Sequence, residues 1–133
     1  MRIIVAAALS ACVAGCSTTP ADLEAKSAPA ITAFTENYQE IYRRTSGLAK
    51  RCIASSMGPY ASMAVDADLF PDLGYGEITV SLINWGVRNY YVSSRIEKVP
   101  TGSKLIVRAG NTLGAERMIQ LLQRWAGGDQ SCT

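Results

Sequence analysis

The sequence contains no histidine. That removes the side chain that most often acts as a general base near neutral pH and most often ligates a transition metal. Serine–histidine and cysteine–histidine nucleophilic pairs are excluded with it. The four cysteines include no Cys-x-x-Cys pair, so neither a zinc site nor a thioredoxin-like redox centre has support. Gly74-Tyr75-Gly76 lacks the third glycine and following helix of a dinucleotide fingerprint and reads as turn chemistry. Charged residues make up 18% of the chain, 13 basic against 11 acidic. A balance so close to neutral gives no overall pull toward nucleic acid. The apolar run at residues 3–11 is too short to span a bilayer.

What is present begins at the N-terminus. A short positive start, Met1-Arg2, precedes the apolar run, and Val13-Ala14-Gly15-Cys16 follows it directly before polar Ser17-Thr18-Thr19-Pro20. This arrangement resembles the signal peptide and lipobox of bacterial lipoproteins. The resemblance implies a diacylglycerol on the Cys16 thiol, cleavage after Gly15 and acylation of the new amino group. Leu9-Ser10-Ala11-Cys12 also fits the box, but lipidation there would leave a shorter apolar run and strand apolar Val13-Ala14-Gly15 beyond the lipid. Cys16 is therefore preferred. Ser17 is not the aspartate that retains such proteins in the inner membrane, so the implied address is the outer membrane, facing the periplasm. In an exported chain, Cys52 and Cys132 read as one disulfide, the alternative being two separate buried thiols.

Three segments are expected: a signal peptide over 1–15, the lipidated cysteine and a flexible Ser/Thr/Pro/Ala-rich tether over 16–29, and one domain over 30–133. From residue 30 to about 53, Phe34, Tyr38, Ile41, Leu48 and Cys52 recur on one helical face, with Thr32 as the expected N-cap. Alternation then predicts four strands. Met63, Val65, Ala67 and Leu69 mark the first, and Ile78, Val80 and Leu82 the second. Tyr90, Val92 and Ile96 mark the third, and Leu105 and Val107 the fourth. Residues 113–126 carry a second apolar stripe and end at Gly127-Gly128. The expected fold is α+β: an antiparallel sheet of about four strands covered by an N-terminal and a C-terminal helix, in the order α-β-β-β-β-α. That order is similar to small helix-over-sheet modules, including the helix-grip domains of some outer-membrane assembly lipoproteins, with no residue motif behind the likeness.

Candidate chemistry is sparse. Asp66 and Asp68 should point the same way from a strand, a catalytic or calcium-binding pair or simply a solvated face. Arg43, Arg44, Lys50 and Arg51 cluster on the first helix, to rest on anionic headgroups or to face solvent. Tyr90 and Tyr91 cannot both enter one core, so the outward one, taken here as Tyr91, joins Arg43, Arg44 and the turn residue Trp85 as a candidate partner surface. The sequence thus points to a non-enzymatic envelope lipoprotein that needs no cofactor. It is held to the membrane through Cys16 and binds another envelope protein, with no nucleic acid involved. The alternatives are a lipid- or glycan-binding module with an apolar cavity beneath the first helix, and a cell-wall enzyme using Asp66, Asp68 and Glu77.

Overall fold

The computed structural model describes residues 18–133; the expected signal peptide and both candidate lipidation residues, Cys12 and Cys16, lie outside them. Elements run in the order α1 (Pro20–Lys26), β1 (Ala30–Phe34), α2 (Tyr38–Cys52), β2 (Ser55–Ser56), β3 (Ala61–Phe70), a 3-10 turn (Pro71–Leu73), β4 (Tyr75–Asn84), β5 (Val87–Val99), β6 (Gly102–Ala109) and α3 (Ala115–Ala126). The strands form one antiparallel sheet ordered β1-β6-β5-β4-β3-β2. The class is α+β, but the expected four-stranded sheet under two helices is corrected to six strands and three helices.

Two of those differences have clear physical causes. Residues 30–34 were expected to open the first helix because Phe34 shares the helical spacing of Tyr38 and Ile41. They instead pair with β6, Ala30 opposite Val107 and Phe34 opposite Ser103. The helix starts only after Asn37, whose side chain accepts from the Gln39 amide at 2.8 Å and caps it. The Thr32 hydroxyl accordingly caps nothing; it accepts from Gln123 on α3. Residues 20–26, expected within a flexible tether, form α1. Thr19 and Asp22 satisfy each other's backbone amides in a reciprocal capping box, with Pro20 in the first turn. Leu23 is 1% exposed, and the Arg108 guanidinium donates to the Glu24 and Ser27 carbonyls at the helix end. Thr18 is tied to β5, its carbonyl accepting from the Tyr90 amide at 3.1 Å.

The two sheet faces differ sharply. Ile78, Val80, Val92, Ile96, Leu105 and Val107 point to one side, where α2 and α3 cover them with Ile41, Leu48, Leu122 and Trp125. Side chains of this kind, fully withdrawn from water, contribute roughly 1.5–3 kcal/mol each. Gly76 lets α2 approach: a Cβ there would sit 2.4 Å from Tyr42 Cδ2. The two helices are also clamped to one another, since the Arg44 guanidinium donates to the Ala126 carbonyl. Beyond α3 the tail returns to α2, where Cys52 and Cys132 form a disulfide with Cα atoms 5.3 Å apart.

Candidate functional site

The other sheet face carries the polar half of the alternation. Cross-strand register sets Glu77 opposite Arg95, paired at 2.7 Å, and Glu97 opposite Lys104, paired at 2.8 Å, while Arg88 reaches across β4 to Asp66 at 2.5 Å. Donating to the Asp66 carboxylate raises the pKa of Arg88, and donating to the Glu77 carboxylate that of Arg95, above the usual guanidinium value. Arg95 also lies 4.2 Å from the centre of the Tyr75 ring, which in turn packs on Phe70 at 5.0 Å. An antiparallel sheet can leave such a face to solvent. Here α1 covers only one end of it. Between α1 and the ion pairs lies a groove of about 230 Å³ bordered by Glu24, Glu77, Ser93, Arg95, Glu97 and Arg108.

The sequence placed Asp66 and Asp68 on one side of a strand, and the register agrees, with Asp66 opposite Thr79 and Asp68 opposite Glu77. Neither lines the groove that Glu77 borders, and Asp66 and Glu77 are each engaged by a guanidinium. Around this groove, therefore, Asp66 and Asp68 do not join Glu77 as a carboxylate pair flanking a shared substrate space. Beneath α2, where the alternative reading expects an apolar cavity, Ile41, Ile78 and Val80 pack into the core and the Tyr42 ring lies against Gly76. Among the described residues, no group of three His, Cys, Asp or Glu side chains is placed to hold a metal ion.

The four expected partner-surface residues separate. Arg44 is a structural clamp, shared between Glu36 and the Ala126 carbonyl. Arg43 is exposed but bound to Glu40 on its own helix; each partner arginine's hydrogen bond lowers the pKa of Glu36 or Glu40. Tyr91 turns against the core. The register slips at that point, since Val80 faces Val92 while Ser81 faces Tyr90. Tyr91 is thus the extra residue of a β-bulge, which re-aims its side chain. Tyr90 stays on the open face, its ring 5.8 Å from the Arg88 guanidinium.

Trp85 alone meets the expectation of an exposed aromatic. It is 72% exposed and heads a two-residue turn in which both Trp85 (φ 51) and Gly86 (φ 77) are left-handed. Glycine or asparagine suits such a turn; a bulky aromatic there is strained. The indole stacks on Tyr60, centroids 4.0 Å apart and planes within 7°, and the Trp85 backbone amide donates to the Tyr60 carbonyl. Sequence reasoning missed Tyr60, which lay in an apparent loop, and missed Leu23 and Arg108, which hold α1. The Thr19-x-x-Asp22 box with Pro20 was the available signal for that helix.

The class these observations define is a one-sided antiparallel sheet whose free face bears ion pairs and whose one end bears stacked aromatics. The chain matches no protein-family model, no curated protein and no solved structure.

Proposed function

We propose that this protein is a lipid-anchored component of the bacterial cell envelope, held at Cys16 in the outer membrane and facing the periplasm, and that it acts as a non-enzymatic adaptor. The surface that receives another envelope protein is the uncovered sheet face. The observation that carries this reading is the contrast between the two faces: one is filled by α2 and α3, while the other displays ordered charges and the Arg95–Tyr75–Phe70 stack with no element of the described residues over them. Arginine and tyrosine are enriched at the energetic centres of interfaces, and rows of alternating charge give register and partner choice.

Photo-crosslinking in intact cells tests it. A crosslinker at Thr79, on the free face, should capture a discrete envelope protein, and one at Lys50, on α2, should not. Swapping the pair as Glu77→Arg with Arg95→Glu keeps a cross-strand ion pair but reverses the pattern offered, and should abolish the adduct. Equal capture from both faces, or an adduct indifferent to the swap, would refute the adaptor surface.

A further inference from the structure

We infer that the end of the sheet formed by the β4–β5 turn, the loop before β3 and the loop after β6 sits in the headgroup region of the bilayer that holds the acyl chains of Cys16. The inference rests on the proposed lipidation of Cys16 and goes beyond it, since an anchor on a long tether would leave the domain free of the membrane.

The described residues hold no such tether. Thr18 is fixed to β5, its amide donating to the Asn89 side chain and its carbonyl accepting from the Tyr90 amide. Cys16 is two residues away, so its Cα lies within about 7.6 Å of that of Thr18, two virtual bonds of ~3.8 Å. Asn89 itself is four residues from Trp85, about 13 Å along a strand. The turn therefore reaches at least as far along the strand direction as the lipid attachment can.

Two surfaces lie within reach of that attachment, and charge decides between them. On the open sheet face Arg88, Arg95 and Lys104 are already paired with Asp66, Glu77 and Glu97, so the face offers anionic headgroups no unpaired cation and three carboxylates that they would repel. The sheet end is different. Residues 53–63, 82–91 and 109–115 carry one charged side chain among them, Arg88, in a chain that is 18% charged, and Arg88 is turned to Asp66 on the open face. The same end exposes Met57 (58%), Tyr60 (58%), Trp85 (72%), Val87 (50%) and Leu113 (108%). The opposite end carries Glu36 and Asp72 in its connections. Tryptophan and tyrosine favour the membrane–water boundary, where the ring is apolar and its N–H or O–H stays wet. The strained backbone at Trp85 fits this: strain is kept where the displayed side chain has work to do.

The test uses the full acylated protein in vesicles of phosphatidylcholine and phosphatidylglycerol, with part of the phosphatidylcholine brominated near the headgroup. Trp125 is fully buried in the core, so quenching that is present in the wild type and lost in Trp85→Phe reports the sheet end. Restoring quenching with Leu113→Trp in the Trp85→Phe background should place the second loop in the same layer. Mass spectrometry of the same sample keeps the two readings apart. An acyl group on Cys16 with unquenched tryptophan overturns this inference and leaves the anchor standing, whereas an unmodified Cys16 overturns both. Trp85 unquenched in vesicles yet crosslinked to a protein in cells also overturns it, and makes the aromatic end a protein-docking surface.

Discussion

Removing the Cys52–Cys132 bond by the double substitution Cys52→Ser and Cys132→Ser should lower stability without altering the native structure. The bond closes a loop of 80 residues in sequence, and in the chain-entropy account such a crosslink is worth about 4.5 kcal/mol at 25 °C through the unfolded state. Other contacts hold the tail in place without the sulfurs. Arg51 donates to the Gln130 carbonyl, the Trp125 indole to the Ser131 carbonyl, and Arg124 to Asp129 and to the Thr133 carbonyl. The folded geometry should therefore survive, and the loss should fall on the freedom the unfolded chain gains. For a domain of this size the melting temperature should drop on the order of 20 °C. Thermal unfolding followed by circular dichroism measures it, with the near-ultraviolet signal of Trp125 at 25 °C reporting the native packing. A drop of only a few degrees would show that the crosslink does not restrain the unfolded chain. A lost near-ultraviolet signal would show that the tail contacts do not hold the fold alone, and either result refutes the reasoning.

Gly76→Ala places a methyl 2.4 Å from the Tyr42 ring and should cost about 1–3 kcal/mol; in a Tyr42→Ala background it should cost little, and a double-mutant cycle by urea denaturation reads the coupling. Gly102→Ala is harsher, because Gly102 has φ 141 and its Cβ would meet the Phe34 carbonyl oxygen at 2.2 Å. Backbone cannot swing aside, so a loss above roughly 3 kcal/mol is expected, with faster amide exchange in β1. Leu23→Ala should cost about 2–3 kcal/mol for a buried leucine. Exchange should quicken first at the Tyr90 amide, which bonds to Thr18; if that amide stays protected, α1 is not what holds Thr18. The Ser131 amide, followed by Arg124, holds Asp129 down at about 2, below the ordinary value of ~3.9. A depressed carboxylate stabilises fully above its unfolded value, so this contribution should vanish as pH falls from about 4 through 2; carbon NMR titration of the Asp129 carboxyl checks it.

Strict alternation made β4 and β6 readable, because Ile78-Val80-Leu82 and Leu105-Val107 each need one apolar side, and the stripe on residues 113–126 likewise marked α3. What failed to show was non-local or compositionally bland. β1 has only five residues, and its partner β6 lies some seventy positions away; nothing within 30–34 outweighs the chance alignment of Phe34 with the apolar face of α2. α1 buries one large side chain, Leu23, in a stretch otherwise rich in Ser, Thr, Pro and Ala, so composition spoke for a tether while the capping residues spoke for a helix. The bulge at Tyr91 left a trace in the run Tyr90-Tyr91-Val92, where three large side chains cannot alternate, but which one departs from the pattern depends on the register with β4. The Glu77–Arg95 and Glu97–Lys104 ion pairs of the open face follow from register too. Arg95 and Glu77 are eighteen positions apart in sequence and directly opposite in the sheet.

Replacing the expected tether by a strapped helix changes what an anchor at Cys16 would accomplish. A flexible linker of a dozen residues lets a domain tumble, so any surface can meet any partner. A chain fixed at Thr18 would give an anchor at Cys16 about two residues of slack, and on the proposed membrane contact the strands would run away from the bilayer, with β5 extending about 40 Å over its length. The charged face would stand along the membrane normal instead of lying on the lipid. Its far end, where Phe70, Tyr75 and the exposed Leu73 gather, would lie deepest in the periplasm. A partner that binds this face must then present its own complementary charges in that orientation. On this geometry, freeing α1 by Leu23→Ala should weaken partner capture by a crosslinker at Thr79, even though Leu23 is buried beneath α1 and does not touch the partner.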